Sequence, residues 1–257
     1  MVNVYLSDDL GEVFRLKHML GSTEIESLEP SHPLSPGFEA ARKTLAGLPR
    51  LSVAEVEALA RLKMASQVIA DTESHWMSFR TQLVADLLNP GECLSMLFEL
   101  YVMTFGLAQV VESMDWRHYS HATPDICTTG PEMLVECKLV RSDKLFRIEG
   151  KLEEARRQHT GLEVPYVIAV GFDHQFSRAE IDEVRALAEG LKPWFEQHPD
   201  VSAGLIFTPA DPAVRPARLP PNPLGLSRIL LTHGAVTELL HHKAINPLPQ
   251  GFSFRPR

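Results

Sequence analysis

The chain has 257 residues, with 25 Lys and Arg against 33 Asp and Glu, a formal charge of −8 at pH 7. Hydrophobic residues make up 44% and charged residues 23%, an ordinary balance for a globular chain with a sizeable core in one or two domains. The acidic total counts against a protein that coats nucleic acid through a basic surface, but it leaves room for a local basic track.

Three prolines, Pro30, Pro33 and Pro36, punctuate a loop after the first segment. Residues 52–69 then place Val53, Val56, Leu59, Leu62 and Lys63 near one helical stripe. Ser52 stands at the N-cap with Glu55 three residues on, which is a capping-box pattern. Residues 72–88 repeat the helical spacing with Trp76, Phe79, Leu83 and Leu87, and Asn89-Pro90-Gly91 breaks the run. Residues 92–106 are apolar almost all round and read as a buried helix, with Glu99 a conspicuous exception.

From residue 108 the period changes. Residues 108–114 and 121–129 read as strands, Gly130-Pro131 as a turn, and 133–140 (MLVECKLV) as a third strand. Residues 145–159 return to helix, 165–172 (PYVIAVGF) form a buried strand, 177–197 a helix and 202–208 a strand. Six prolines fall between 209 and 223, where neither a helix interior nor a central strand can lie. Beyond them SRILLTH reads as a strand and VTELLHHK as a short helix.

The expected organisation is a helical accessory region over 1–89, an α/β core over 90–208 and a Pro-rich C-terminal extension over 209–257. Three strands followed by helix and strand alternation point to a mixed sheet with helices on its faces.

No run of 18 apolar residues occurs, and MVNVYLSDDLGEVF lacks the regions of a signal peptide, so no membrane contact and a cytoplasmic location are expected. Cys93, Cys127 and Cys137 lie in apolar runs without zinc-ligand spacing and read as reduced core residues.

The chemistry concentrates in 133–140. Strand side chains alternate, so Glu136 and Lys138 share one face, and Val135, Cys137 and Leu139 the other. Charges in so apolar a strand are costly unless paired, hydrated or metal-bound. Ten residues separate Asp125 from Glu136, the right length for an antiparallel hairpin that sets the two side by side, with directly opposed Cβ atoms about 5 Å apart. Carboxylates that close repel unless a cation lies between them or one takes a proton, and Mg²⁺ suits such a site. The plainer alternative is a Glu136–Lys138 ion pair on an edge strand, with Asp125 capping a turn.

Pro124-Asp125 followed by Glu136-Cys137-Lys138 resembles the PD-(D/E)xK signature of the restriction-endonuclease-like nuclease superfamily. The resemblance covers residues 90 to about 172. It implies an αβββαβ core with a mixed central sheet flanked by helices. Asp125 and Glu136 become ligands of Mg²⁺ (or Mn²⁺), the Cys137 carbonyl a further ligand, and Lys138 the catalytic lysine. Glu99 matches an acid that many members carry on the preceding helix, with Glu92 as its rival, and Gln158 resembles a glutamine that some carry in the following helix.

The implied activity is metal-dependent phosphodiester hydrolysis, an endonuclease or related nuclease acting on DNA before RNA. The alternative is a non-catalytic nuclease-fold module that binds nucleic acid or protein within a larger complex. A homo-oligomer or protein partner remains open.

Between 138 and 157 seven cations stand against four anions. Arg141, Lys144 and Arg147 follow the active strand directly and are candidates for backbone phosphates. A solvated helix face is the equal alternative. His118, His121 and His159 fall near the cleft in sequence, where a structural or surface histidine is the expected reading.

Overall fold

A computed structural model describes residues 10–47, 51–108, 111–120, 124–130, 132–140, 145–158, 164–172, 190–191, 193–209 and 227–231. Contacts divide the described residues into two compact units, with the boundary between Tyr101 and Val102.

The first unit is helical: α1 Gly11–Leu20, α2 Ser22–Glu26, α3 Ser35–Leu45, α4 Val53–Asp71, α5 Glu73–Trp76, α6 Arg80–Leu88 and α7 Cys93–Tyr101. The capping box expected at Ser52 is present. Its hydroxyl accepts from the Glu55 N–H at 3.3 Å, and the Glu55 carboxylate accepts from the Ser52 N–H at 2.7 Å. Two of the four orphan donors at the start of α4 are thereby satisfied.

Leu59, Leu62, Ala65 and Val68 bury the inner stripe of α4, which packs on α1, α3 and α7. Val53 lies in the first turn and is exposed at 64%, so the stripe begins later than its period suggests. Gly37 permits a close approach of α3 to α4, since a Cβ there would stand 2.6 Å from the Leu62 Cβ.

Residues 72–88 are not one helix. A 3₁₀ turn, Met77–Phe79, separates α5 from α6. The Trp76 indole donates at 2.8 Å to the Ile69 carbonyl, one of the acceptors left open at the end of α4. The buried ring is thus committed to the end of α4, and the chain turns before α6 begins. Asn89 then ends α6, its side chain accepting from the Gly91 N–H at 2.9 Å.

The second unit is α/β, with a mixed sheet flanked by helices. Its first six residues, Val102–Leu107, are π-helical rather than the continued α-helix expected to 106. Among the described residues the strands are β1 Ser113–Trp116, β2 Ile126–Thr129, β3 Met133–Val140, β4 Tyr166–Phe172, β5 Ala203–Pro209 and β6 Ser227–Leu231. They form one sheet in chain order, antiparallel from β1 to β3, parallel from β3 to β5 and antiparallel again at β6.

The third strand begins and ends where its apolar run does. The first two are shorter or later than expected. β1 starts only at Ser113, and the start of its expected run is drawn into the π turn instead, the Ala108 N–H donating to the Met103 carbonyl at 2.9 Å. Pro124 has no N–H to give to a ladder, and β2 starts at Ile126.

The helix α8, Leu145–Gln158, returns across the sheet on the face of β3 and β4 that carries Val140, Tyr166, Ile168 and Val170. Ile148, Leu152 and Ala155 of α8 join Leu191, Trp194, Phe195 and Val201 in this core. The Tyr166 hydroxyl donates to the Ala155 carbonyl at 3.0 Å and ties β4 to α8. No helix among the described residues is long and apolar enough to cross a membrane. The three cysteines are free thiols, with Cys93 and Cys137 buried. Most of the 209–223 proline segment and the expected C-terminal helix lie outside the described residues.

Candidate metal and catalytic centre

β3 is an interior strand, hydrogen-bonded to β2 on one side and β4 on the other. The edge-strand alternative for Glu136 and Lys138 therefore does not hold. Period-two alternation puts both side chains on the face that α8 covers. Glu136 is 2% exposed, and the Lys138 ammonium donates to its Oε1 at 2.6 Å.

Asp125 arrives from β2. The register sets Ile126 opposite Val135 and Cys127 opposite Leu134, which brings Asp125 level with Glu136. Beyond Ile126 the ladder gives way to the side chain, and the Asp125 Oδ2 accepts from the Cys137 N–H at 2.7 Å. In an antiparallel ladder the N–H and C=O of one residue point to the same neighbour, so the Cys137 carbonyl also faces the Asp125 side.

The electrostatics follow from this crowding. Burial disfavours the Lys138 ammonium, but the hydrogen-bonded Glu136 and the charge of Asp125 outweigh that cost and hold its pKa above the ordinary lysine value. The site thus keeps a protonated cation against its acids. Tyr166 lies on the same face, and burial together with Glu136 and Asp125 pushes its hydroxyl far up, so it remains a neutral donor.

Gln158, the last residue of α8, places its Oε1 3.3 Å from the Lys138 ammonium. The structure therefore brings Asp125, Glu136, Cys137, Lys138 and Gln158 together. Arg147 lies on the first turn of α8, exposed, with its guanidinium 5.9 Å from the centre of the exposed Phe146 ring. Glu99 is buried on α7 in the first unit. Glu92 is exposed just before that helix. Arg141, Lys144, His121 and His159 lie outside the described residues.

A residue given a structural reading from sequence belongs near the centre. His118 and Asp125 offer ligand atoms within 4.8 Å of each other. No spacing rule points to this pair, because it depends on where the β1–β2 ladder ends. The donor set of two carboxylates and a backbone carbonyl suits a hard divalent cation of the size of Mg²⁺ or Mn²⁺.

No family model matches the chain, and no curated protein or solved structure matches it either.

Proposed function

We propose that this chain is a divalent-metal-dependent nuclease of the PD-(D/E)xK type that hydrolyses phosphodiester bonds, in DNA before RNA. One observation carries the reading. Asp125, immediately before β2, is bonded to the backbone between Glu136 and Lys138 on β3, with Glu136 buried and Lys138 against it. The chain order supports it too: a helix, three antiparallel strands, α8 and then a parallel strand are what an αβββαβ core requires.

In this reading Asp125 and Glu136 hold the cation, with the Cys137 carbonyl completing their side. A divalent ion bound there supplies charge against the phosphate and makes a nearby water more acidic. The Lys138 ammonium adds positive charge where the attacked phosphate gains negative charge. Gln158 fixes the direction of that ammonium. Glu99 is assigned as a further carboxylate on its place in the sequence alone. Arg147, with Arg141 and Lys144, is assigned to the substrate backbone on charge.

The test is cleavage of plasmid, linear DNA and RNA side by side in Mg²⁺ and in Mn²⁺, with Asp125→Asn, Glu136→Gln and Lys138→Met as the comparison set. Metal-dependent cleavage that all three variants lose is expected. Full cleavage by Glu136→Gln, in a preparation free of wild type, overturns the assignment. Absence of both cleavage and Mn²⁺ binding in the wild type favours a non-catalytic binding module.

A further inference from the structure

His118 has no part in the reaction described so far, yet the fold delivers it to Asp125. The last bond between the first two strands runs from the Arg117 N–H to the Asp125 carbonyl at 2.8 Å. It fixes the backbones of residues 117 and 125 side by side. The chain then enters the 3₁₀ turn His118–Ser120, and His118 is its first residue.

The imidazole is held in place by its neighbours. It stacks on Trp116, with ring centroids 5.8 Å apart and planes 24° from parallel, and it meets the Tyr119 ring edge-on at 4.7 Å. Trp116 is itself only 4% exposed, so the surface that His118 rests on is part of the core. A side chain immobilised before it binds loses little entropy on binding, which is the ordinary condition of a good ligand.

The spacing fits a shared ion. Two donors with bonds of about 2.1 Å to one cation stand at most about 4.2 Å apart. A separation within 4.8 Å is closed by a small side-chain adjustment. The donor type also matters. Mg²⁺ prefers an all-oxygen shell, whereas an imidazole nitrogen favours the transition-metal ions over it.

We propose that His118 is a nitrogen ligand of the cation that Asp125 holds, and that it shifts the preference of the site from Mg²⁺ toward Mn²⁺ and the later divalent ions. This assignment rests on the nuclease reading only in that both place a cation at Asp125. Cleavage need not occur for it to be true.

The test uses the full chain with stoichiometric Mn²⁺ and reads electron spin-echo modulation from a directly bound ¹⁴N. The wild type is expected to show that modulation, and His118→Gln to lose it while still binding Mn²⁺ through its carboxylates. Partners one shell further out than a ligand already contribute roughly 10- to 100-fold in affinity, so Mn²⁺ affinity should fall at least about tenfold in the variant, and Mg²⁺ affinity by less. His118→Asn serves if His118→Gln does not fold, and the wild-type spectrum decides the question without any variant. Mn²⁺ bound with no ¹⁴N modulation overturns the role of His118 and leaves the nuclease reading standing. Modulation that survives both substitutions overturns it as well, since another histidine is then the ligand. Failure of the wild type to bind Mn²⁺ overturns both.

Discussion

The carboxylate of Asp125 is bonded to the backbone of Cys137, at 2.7 Å, in the position where the next rung of the β2–β3 ladder would otherwise lie. A side chain has replaced a strand there. The replacement holds one acid at a fixed place, level with Glu136 on the neighbouring strand. Both carboxylates favour the charged Lys138 ammonium, and a divalent cation between acids set level on neighbouring strands would offset their mutual repulsion further.

Asparagine at 125 keeps an acceptor for the Cys137 N–H, and alanine does not. Asp125→Ala should therefore lose about 1–3 kcal/mol of stability relative to Asp125→Asn, the cost of leaving a half-buried donor unmade. Both variants should lose Mn²⁺ binding. Urea unfolding of the metal-free proteins and titration calorimetry with Mn²⁺ check the two halves separately. Equal stability of the two variants would show that the hydrogen bond has no role in holding the site.

Lys138→Met removes the ammonium that faces Glu136, whose side chain is 3% exposed. Removing one partner of a buried pair costs about 3–5 kcal/mol, so the metal-free variant should unfold at markedly lower denaturant. The double variant Glu136→Gln, Lys138→Met should recover most of that loss. A thermodynamic cycle over the four proteins gives the coupling, and additive effects would count against the pair.

Gly37 and Gly150 should respond in opposite directions to alanine. Each is in a helix, where Gly→Ala is worth up to about 1 kcal/mol in favour of alanine. At Gly150 nothing lies within 4 Å of the new Cβ, so α8 should gain stability of that order. At Gly37 the Cβ would stand 2.6 Å from the Leu62 Cβ and 2.8 Å from the Ala58 carbonyl. Overpacking of that kind costs about 1–3 kcal/mol and should outweigh the propensity gain. Melting temperatures of the two variants decide it, and a stabilised Gly37→Ala would mean that α3 and α4 separate freely.

His32 should make stability fall on acidification. It is 2% exposed, and its Nδ1 accepts from the Leu34 N–H at 3.2 Å, which requires the neutral ring. Burial lowers its pKa from the usual 6.5, with the Leu87 and Leu88 carbonyls opposing in part. A lowered histidine pKa means that the unfolded chain takes up the proton first. The contribution is fully present above about pH 6.5 and is lost as pH falls from there toward the folded value. The slope cannot exceed about 1.4 kcal/mol per pH unit for one proton. Urea midpoints at pH 7.5 and 5.5 for wild type and His32→Asn should show the larger acid loss in the wild type.

Local chemistry made a good part of this protein legible from its residues. The third strand lies where MLVECKLV does, because a short apolar run between turn signals has little else to form. Glu136 and Lys138 share a face because strands alternate. The capping box at Ser52 and Glu55 needs only three residues of spacing. The hairpin that levels Asp125 with Glu136 follows from the length of chain between them.

What tertiary structure alone decided depends on partners distant in sequence. The break at Met77–Phe79 reflects an indole bonded to the end of another helix, which no helical period records. Gln158 reaches Lys138 because α8 crosses the sheet at one angle, set by the packing of Ile148, Leu152 and Ala155. His118 approaches Asp125 because the β1–β2 ladder ends where it does and Trp116 supports the ring. Alternation and turn chemistry are properties of neighbouring residues, so they can be read along the chain. The meeting of side chains from separate elements depends on how a whole core fills its volume, and only the folded structure settles that.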